Sequence, residues 1–195
     1  MGRSRLDSAG LLALVLAIPA GLLLLRAGPG PWNDDEFYAL MHGSGELSVR
    51  LLIVALLATP LQRIRPRAAV VKWLRRRRRV FGLGAAGYAV LHAGVYLRHL
   101  ALDDVLADLR QPGYVLGWFA VLAMLPLAAT SFDRAVKRLG RRWKALHRMA
   151  HLAAVAAALH WWLKPEGATR LAVVLHFAPL LILQIQRVRI GRARR

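Results

Sequence analysis

Six apolar stretches alternate with basic or polar segments along the chain. They cover residues 8–25, 47–61, 80–100, 113–131, 144–163 and 168–186. A helix of about 20 residues crosses a hydrocarbon core of about 30 Å, and most of these stretches approach that length. The second is short for a span, so we expect its helix to begin a few residues earlier. The pattern predicts an all-α membrane protein with six transmembrane helices, forming a single domain over residues 1–195.

Composition supports a membrane protein over a soluble one. The chain is 57% hydrophobic and yet carries a formal net charge of +19. Those two properties conflict in a soluble protein, whereas a membrane protein separates apolar spans from basic loops. Strong basicity is also typical of nucleic-acid binding. We reject nucleic acid as a partner, because one small soluble core could not bury so many apolar runs.

The distribution of Lys and Arg predicts the orientation of the helices. These residues concentrate in the N-terminal tail, in the segments 62–79 and 132–143, and in the tail after residue 186. All four segments fall on the same side of a six-span bundle, and cytoplasmic loops carry the excess of positive charge. Both termini are therefore expected to be cytoplasmic. The N-terminal stretch also has features of a signal peptide, but the spans that follow favour an uncleaved first helix.

Histidines in the apolar stretches are the candidate chemistry of this chain. The fifth stretch carries His147, His151 and His160. An ionisable side chain inside a membrane is a functional hypothesis by default, and neutral imidazole is a common haem ligand. The chain has no Cys, which excludes disulfides, Cys-ligated iron–sulfur clusters and the covalent attachment of c-type haem. A redox centre would therefore be held non-covalently, with His as the most plausible ligand.

Two histidines are predicted to lie at similar depth on different helices. At about 1.5 Å per residue, His92 lies about 18 Å along the third stretch and His160 about 24 Å along the fifth. Both stretches start on the cytoplasmic side, so both imidazoles belong to the outer half of the membrane, where they could clamp one haem iron. His99 lies two turns beyond His92 on nearly the same face, and it is a rival for the same role.

The other two histidines of the fifth stretch lie near the cytoplasmic side. His147 is only about 5 Å from the start of that stretch, and His151 is one turn deeper on the same face. The third stretch has no histidine at that level, so an inner haem lacks an obvious second ligand. An ideal helix also separates His147 and His160 by about 140°, so facing one neighbour requires a twist or a local bulge.

The histidine motifs resemble those of a known family. The third stretch has L-H-x-x-x-Y at His92 and Tyr96, and the fifth has W-x-x-L-H ending at His147, with a further L-H at His160. A T-P-L sequence and a basic loop ending in an arginine run precede the third stretch. Together these features resemble MsrQ, formerly YedZ, a family in the ferric-reductase-like transmembrane superfamily of six-helix b-type cytochromes. The resemblance covers roughly residues 47–163.

The resemblance implies a haem-binding electron-transfer subunit in the bacterial inner membrane. Such a subunit passes electrons to a periplasmic molybdopterin enzyme, MsrP-like, which reduces methionine sulfoxide in proteins. The implied cofactor is haem b, one or two per chain, with FMN in some members. The implied donors are quinol from the quinone pool or a cytosolic flavin reductase.

The resemblance also implies site residues. It marks three histidines as axial-ligand positions of haem iron: His92, His147 and His160. His151 and His99 are weaker haem-associated candidates. Three basic residues near the cytoplasmic side are candidates for haem propionates or a flavin phosphate, and they also suit contact with anionic membrane lipid: Arg78, Arg79 and Arg148.

Alternative functions remain open on the residues alone. One is a quinol- or ferric-reductase-type cytochrome b with a different acceptor, and another is a non-redox transporter that uses histidines as proton relays. A G-x-G-x-x-G match at residues 82–87 does not indicate dinucleotide binding, because an arginine run rather than a strand precedes it. We interpret it as a small-residue face for close helix packing.

Overall fold

Each predicted apolar stretch overlaps one long helix of the protein. In a computed structural model that describes residues 3–28, 30–163 and 169–193, every regular element is a helix. The six long ones are α1 (Arg3–Ala27), α2 (Asp34–Ile64), α3 (Ala69–His99), α5 (Pro112–Ala129), α8 (Met149–Leu163) and α9 (Thr169–Ala193). The three short ones are α4 (Leu102–Asp108), α6 (Asp133–Leu139) and α7 (Arg141–Leu146).

Among the residues that the structure describes, four helices are long and apolar enough to cross a membrane. They are Asp34–Ile64, Ala69–His99, Pro112–Ala129 and, within α9, Arg170–Ile190. Helix α1 contributes the shorter apolar segment Gly10–Arg26. Helix α8 has 15 residues and spans about 22 Å at the usual rise. Large apolar side chains are exposed along α1, α5, α8 and α9, as expected for surfaces that face lipid.

Helix α2 begins well before the predicted second stretch. Asn33 caps it, since its side chain accepts from the Glu36 N–H while the Glu36 carboxylate accepts from the Asn33 N–H. The helix was expected to begin a few residues before residue 47, but the whole segment from residue 34 to residue 46 is helical. Its polar positions are accommodated inside the bundle: Ser44 donates to the Leu40 carbonyl, and Ser48 donates to the Ala85 carbonyl of α3.

The predicted fifth stretch is divided in two. Helix α7 ends at Leu146 and α8 begins at Met149, so a continuous helix over 144–163 is wrong. In the turn between them, the N–H of Arg148 bonds to Ala145 O at 3.2 Å, a shorter loop than the i to i−4 bond of an α-helix. His147 and His160 lie on either side of this local irregularity, and both imidazoles contact α5, His147 at Thr130 and His160 at Gly113.

Two helix pairs form the body of the bundle. Helix α2 packs along α3, and α5 packs along α8. Small residues line the contacts, including the fully buried Ala85 and Ala153. Helix α1 joins this body through Tyr88 of α3, whose hydroxyl donates to Leu16 O and accepts from Ala20 N–H beside Pro19. The tyrosine thus bridges two backbone groups of α1 that would pair with each other in a regular helix.

Candidate functional site

A cavity of about 630 Å³ lies among α2, α3, α5 and α8. Cofactor sites commonly have volumes of roughly 300–1,000 Å³ and mostly apolar walls with a few polar groups. The walls here follow that description, because apolar and aromatic residues such as Leu52, Met124 and Trp118 surround a few polar groups. Three histidines line the cavity, His42, His92 and His160, and the rings of His92 and His160 lie next to each other.

His92 enters the cavity from α3 and is oriented by α2. Its Nδ1 lies 3.0 Å from the Met41 carbonyl oxygen and 3.5 Å from Ser44 Oγ. A carbonyl oxygen only accepts, so the bond to Met41 requires the proton on Nδ1. In that tautomer Nε2 carries the lone pair that can bind a metal.

His160 enters from α8 and is oriented by α5 in the same way. Its Nδ1 lies 2.7 Å from the Gly113 carbonyl oxygen in the first turn of α5. The two imidazole rings have centroids 6.3 Å apart and planes at 82°. Tyr114 also borders the His160 ring, with a centroid distance of 6.4 Å.

The spacing of the two rings fits one metal ion held between imidazoles. Metal–imidazole nitrogen bonds are roughly 2.0–2.1 Å in zinc sites, and two such bonds in line place the ring centroids about 6 Å apart. Among residues 3–28, 30–163 and 169–193, no group of three or more His, Cys, Asp or Glu side chains could hold a metal ion. Two imidazoles in a large apolar cavity instead suit haem, because the porphyrin supplies the remaining ligands.

His147 lies outside the cavity. Its Nε2 is 3.1 Å from Thr130 Oγ1 at the end of α5, and its ring stacks on Trp143 with centroids 3.9 Å apart. Trp143 in turn donates to the Thr130 carbonyl. The structure therefore does not place His147 with His92 and His160, because the turn after α7 directs its ring toward the end of α5.

His151 and His99 are also absent from the walls of the cavity. His151 Nδ1 is 3.3 Å from the Arg148 carbonyl, and its Nε2 is 3.4 Å from the Gln184 amide of α9. His99 stacks on Phe37 of α2 with ring centroids 3.9 Å apart. His151 therefore packs against α9 and His99 against α2, and neither imidazole joins the pair in the cavity.

The candidate basic residues lie at the opposite end of the bundle from α4. Arg79 pairs with Asp133 at the start of α6, and the guanidinium holds the pKa of that carboxyl below its usual value. Arg78 and Arg148 are exposed. None of the three lines the cavity, and their predicted role as contacts of a haem propionate or a flavin phosphate at the cytoplasmic side stays a prediction.

A polar contact closes the cavity toward α4, and the sequence patterns did not reveal it. The Tyr96 hydroxyl donates to Asp108 Oδ2 at 2.7 Å, and Gln111 lies 3.3 Å from the other carboxylate oxygen. Val105 of α4 is buried and anchors this short helix. The only hint in the sequence was Tyr96 itself, one turn after His92 in the L-H-x-x-x-Y motif.

A second missed feature is a charged network beside the cavity. Arg50 donates to Glu46 Oε1 at 2.7 Å and to His176 Nε2 of α9 at 3.1 Å. Glu46 lines the cavity, and Trp161, the neighbour of His160, lies 5.3 Å from the His176 ring. The four-residue spacing of Glu46 and Arg50 suits an ion pair on one helix face. Because the predicted apolar stretch began at residue 47, both residues were expected near the end of a span rather than within a long helix.

Comparison with known proteins gives a consistent result. Residues 44–158 match the family described as ferric reductase like transmembrane component. The chain is 36% identical to a protein-methionine-sulfoxide reductase heme-binding subunit MsrQ of Deinococcus radiodurans over 172 residues, which is 84% of this chain and 82% of the relative. It is 34% identical to the MsrQ of Cronobacter sakazakii, over 77% of this chain and 76% of the relative. No solved structure matches the chain.

Proposed function

This chain belongs to the MsrQ heme-binding subunits within the ferric reductase like transmembrane family, and we propose that it is the membrane electron-transfer subunit of a methionine-sulfoxide reductase. It is a multi-pass membrane protein with a cytochrome b role. The observation that carries the proposal is the pair of facing imidazoles, His92 and His160, in one large apolar cavity.

Haem b would be held by His92 and His160 as axial ligands. When bound, it supplies one-electron chemistry at iron. The chain's own contribution is to fix both Nδ1–H groups on backbone carbonyls, which orients the rings and raises the basicity of Nε2. The apolar walls exclude water and lower the local dielectric, and both effects tune the reduction potential.

One haem per chain is the stoichiometry that we propose. His147 bonds to Thr130 and stacks on Trp143, and His151 contacts α9. Neither imidazole faces a second histidine across a cavity among the described residues. We therefore assign His147 a structural role at the junction of α5, α7 and α8.

The orientation follows from charge. We propose six spans with both termini in the cytoplasm, because the basic residues of the segments 62–79 and 132–143 lie at one end of the bundle. The haem site then lies in the periplasmic half of the inner membrane, with α4 and the first turn of α2 at the periplasmic surface. Electrons would leave from there to a periplasmic molybdopterin reductase subunit.

The electron donor is the least constrained part of the proposal. Quinol in the membrane or a cytosolic flavin reductase would deliver electrons, with FMN as a further cofactor. Substrate reduction would take place on the partner, so this chain would act as the electron-transfer subunit of an oxidoreductase complex.

Coupled turnover tests the proposed function. Membranes with this chain and its cognate periplasmic reductase should reduce methionine sulfoxide in a protein substrate at the expense of quinol or reduced flavin. His92→Ala and His160→Ala should each abolish that reduction, whereas His151→Ala should retain most of it. Reduction that persists in both of the first two variants, or that needs none of this chain, would contradict the proposal.

A further inference from the structure

The two facing imidazoles are held by the same local arrangement on two different helices. On α2, His92 bonds to the carbonyl of Met41, and Gly45 lies four residues later. On α5, His160 bonds to the carbonyl of Gly113, and Gly117 lies four residues later. In both cases a carbonyl at position i receives the imidazole, and glycine occupies position i+4.

Helix geometry explains why glycine is needed at that position. Residues i and i+4 lie one above the other on the same face, and each Cα–Cβ bond tilts toward the helix N-terminus. A side chain at i+4 therefore covers the carbonyl at i. That oxygen already accepts the N–H of residue i+4 in a regular helix, and its second lone pair can accept another donor only if the space over it is open.

The distances support this explanation at both sites. A Cβ atom added at Gly117 would lie 2.8 Å from His160 Nδ1 and 2.9 Å from Cε1. A Cβ atom at Gly45 would lie 3.0 Å from His92 Nδ1 and 3.1 Å from Cε1. Ordinary van der Waals contact begins at 3.4 Å, so an alanine at position 117 would force the His160 ring to shift, and an alanine at position 45 would push the His92 ring by a few tenths of an ångström. Either shift disturbs the hydrogen bond to the carbonyl that orients the ring.

We propose that Gly45 and Gly117 are positioning residues for the two axial imidazoles, each keeping the carbonyl one turn earlier open to the imidazole Nδ1–H. This inference rests on the proposed haem ligation by His92 and His160. Loss of the carbonyl bond releases the constraint on tautomer and ring orientation that a hydrogen-bond acceptor imposes on a metal-binding histidine. The effect is larger at Gly117, where the added carbon would lie nearer the ring.

Two other glycines provide matched controls. Gly43, on the same helix as Gly45, would place its Cβ atom 3.0 Å from Leu23, so Gly43→Ala crowds an apolar side chain to the same degree without touching a histidine. Gly87 on α3 meets nothing within 4 Å, so the close packing expected of residues 82–87 does not include it, and Gly87→Ala makes the same chemical change in open space. The two controls separate general effects of crowding and of alanine from an effect on the ligands.

The experiment uses the purified full-length variants with their haem. We expect Gly117→Ala to lose much of the low-spin bis-imidazole spectrum, to gain a high-spin component and to shift the midpoint potential. Added imidazole should restore the low-spin spectrum by replacing the displaced ligand. Gly45→Ala should show the same changes to a smaller extent, and both controls should match the natural protein.

The results distinguish this inference from the proposed function. A natural protein that purifies without haem would remove the basis of both. A natural protein with low-spin haem, together with Gly117→Ala and Gly45→Ala variants of unchanged spectrum and potential, would overturn the inference alone. If Gly117→Ala does not accumulate, the milder Gly45→Ala variant decides by the same spectra, since an unchanged spectrum and potential there would reject the inference.

Discussion

Replacement of Arg50 by alanine should destabilise the protein through the partner that it leaves behind. Arg50 lies about 24 Å from the start of α2 and about 21 Å from its end, which is near the middle of a spanning helix. It donates to Glu46 and to His176. A charge at that depth is energetically costly unless it is paired, so Arg50 and Glu46 each need the other to offset the cost of lying inside the membrane.

The magnitude follows from the surroundings of the pair. Removing one partner of a buried ion pair costs about 3–5 kcal/mol, and a charged side chain at a helix centre costs about 2.5–3.5 kcal/mol by insertion scales. The two side chains retain accessible fractions of 50% and 34%, which favours the lower end of these ranges. We expect Arg50→Ala to cost about 2–3 kcal/mol, or roughly 4–12 °C in melting temperature for a chain of this size.

A double variant separates this effect from loss of packing. Glu46→Gln/Arg50→Ala removes both charges, so it should melt closer to the natural protein than Arg50→Ala does. Arg98→Ala, near the end of α3, serves as the control for loss of an arginine. Thermal unfolding in detergent, followed by far-ultraviolet circular dichroism, measures all three. Equal melting temperatures for the single and double variants would refute the ion-pair argument.

Three smaller predictions concern the contacts that join helices. Tyr88→Phe removes the two hydrogen bonds of the hydroxyl to α1 and should destabilise the protein by only about 1 kcal/mol, because the two backbone groups of α1 can then pair with each other. A melting curve measures the loss. His147→Ala should keep the haem and its spectrum while lowering the melting temperature, and haem loss in that variant would contradict its structural assignment. The pKa of Asp133 should lie below the usual value of an aspartate, and Arg79→Gln should raise it toward that value in an NMR titration. The contribution of the Arg79–Asp133 pair to stability is present above the usual aspartate pKa and is lost as the pH falls through the lowered pKa of Asp133.

The parts of the fold that could be predicted are those set by apolar runs. Helix α5 coincides with the predicted stretch 113–131 because an uninterrupted apolar run defines it. The start of α2 was missed although Asn33 and Glu36 have the spacing of a capping box, because the turns that follow carry polar residues such as Ser44 whose hydrogen bonds are made inside the bundle. The break after Leu146 has no glycine or proline to signal it, since it depends on the contacts of His147 with α5.

The candidate site also has parts that the sequence predicted and parts that it did not. Depth along the helices was sufficient to bring His92 and His160 to one level, and their rings do lie 6.3 Å apart. The facing direction of His147 was not predictable, because an ideal helix continues through the turn that redirects it. The roles of Gly45 and Gly117 were also missed. A carbonyl that accepts a side chain four residues before a glycine leaves no pattern in hydropathy.

We expect one haem between His92 and His160. Haem content per chain, together with electron paramagnetic resonance of the oxidised, purified protein, measures this most directly. The expected result is one haem per chain with a low-spin bis-imidazole signal that is lost in His92→Ala and in His160→Ala and retained in His147→Ala. A second haem that disappears with His147, or a low-spin signal that survives the loss of both His92 and His160, would contradict it.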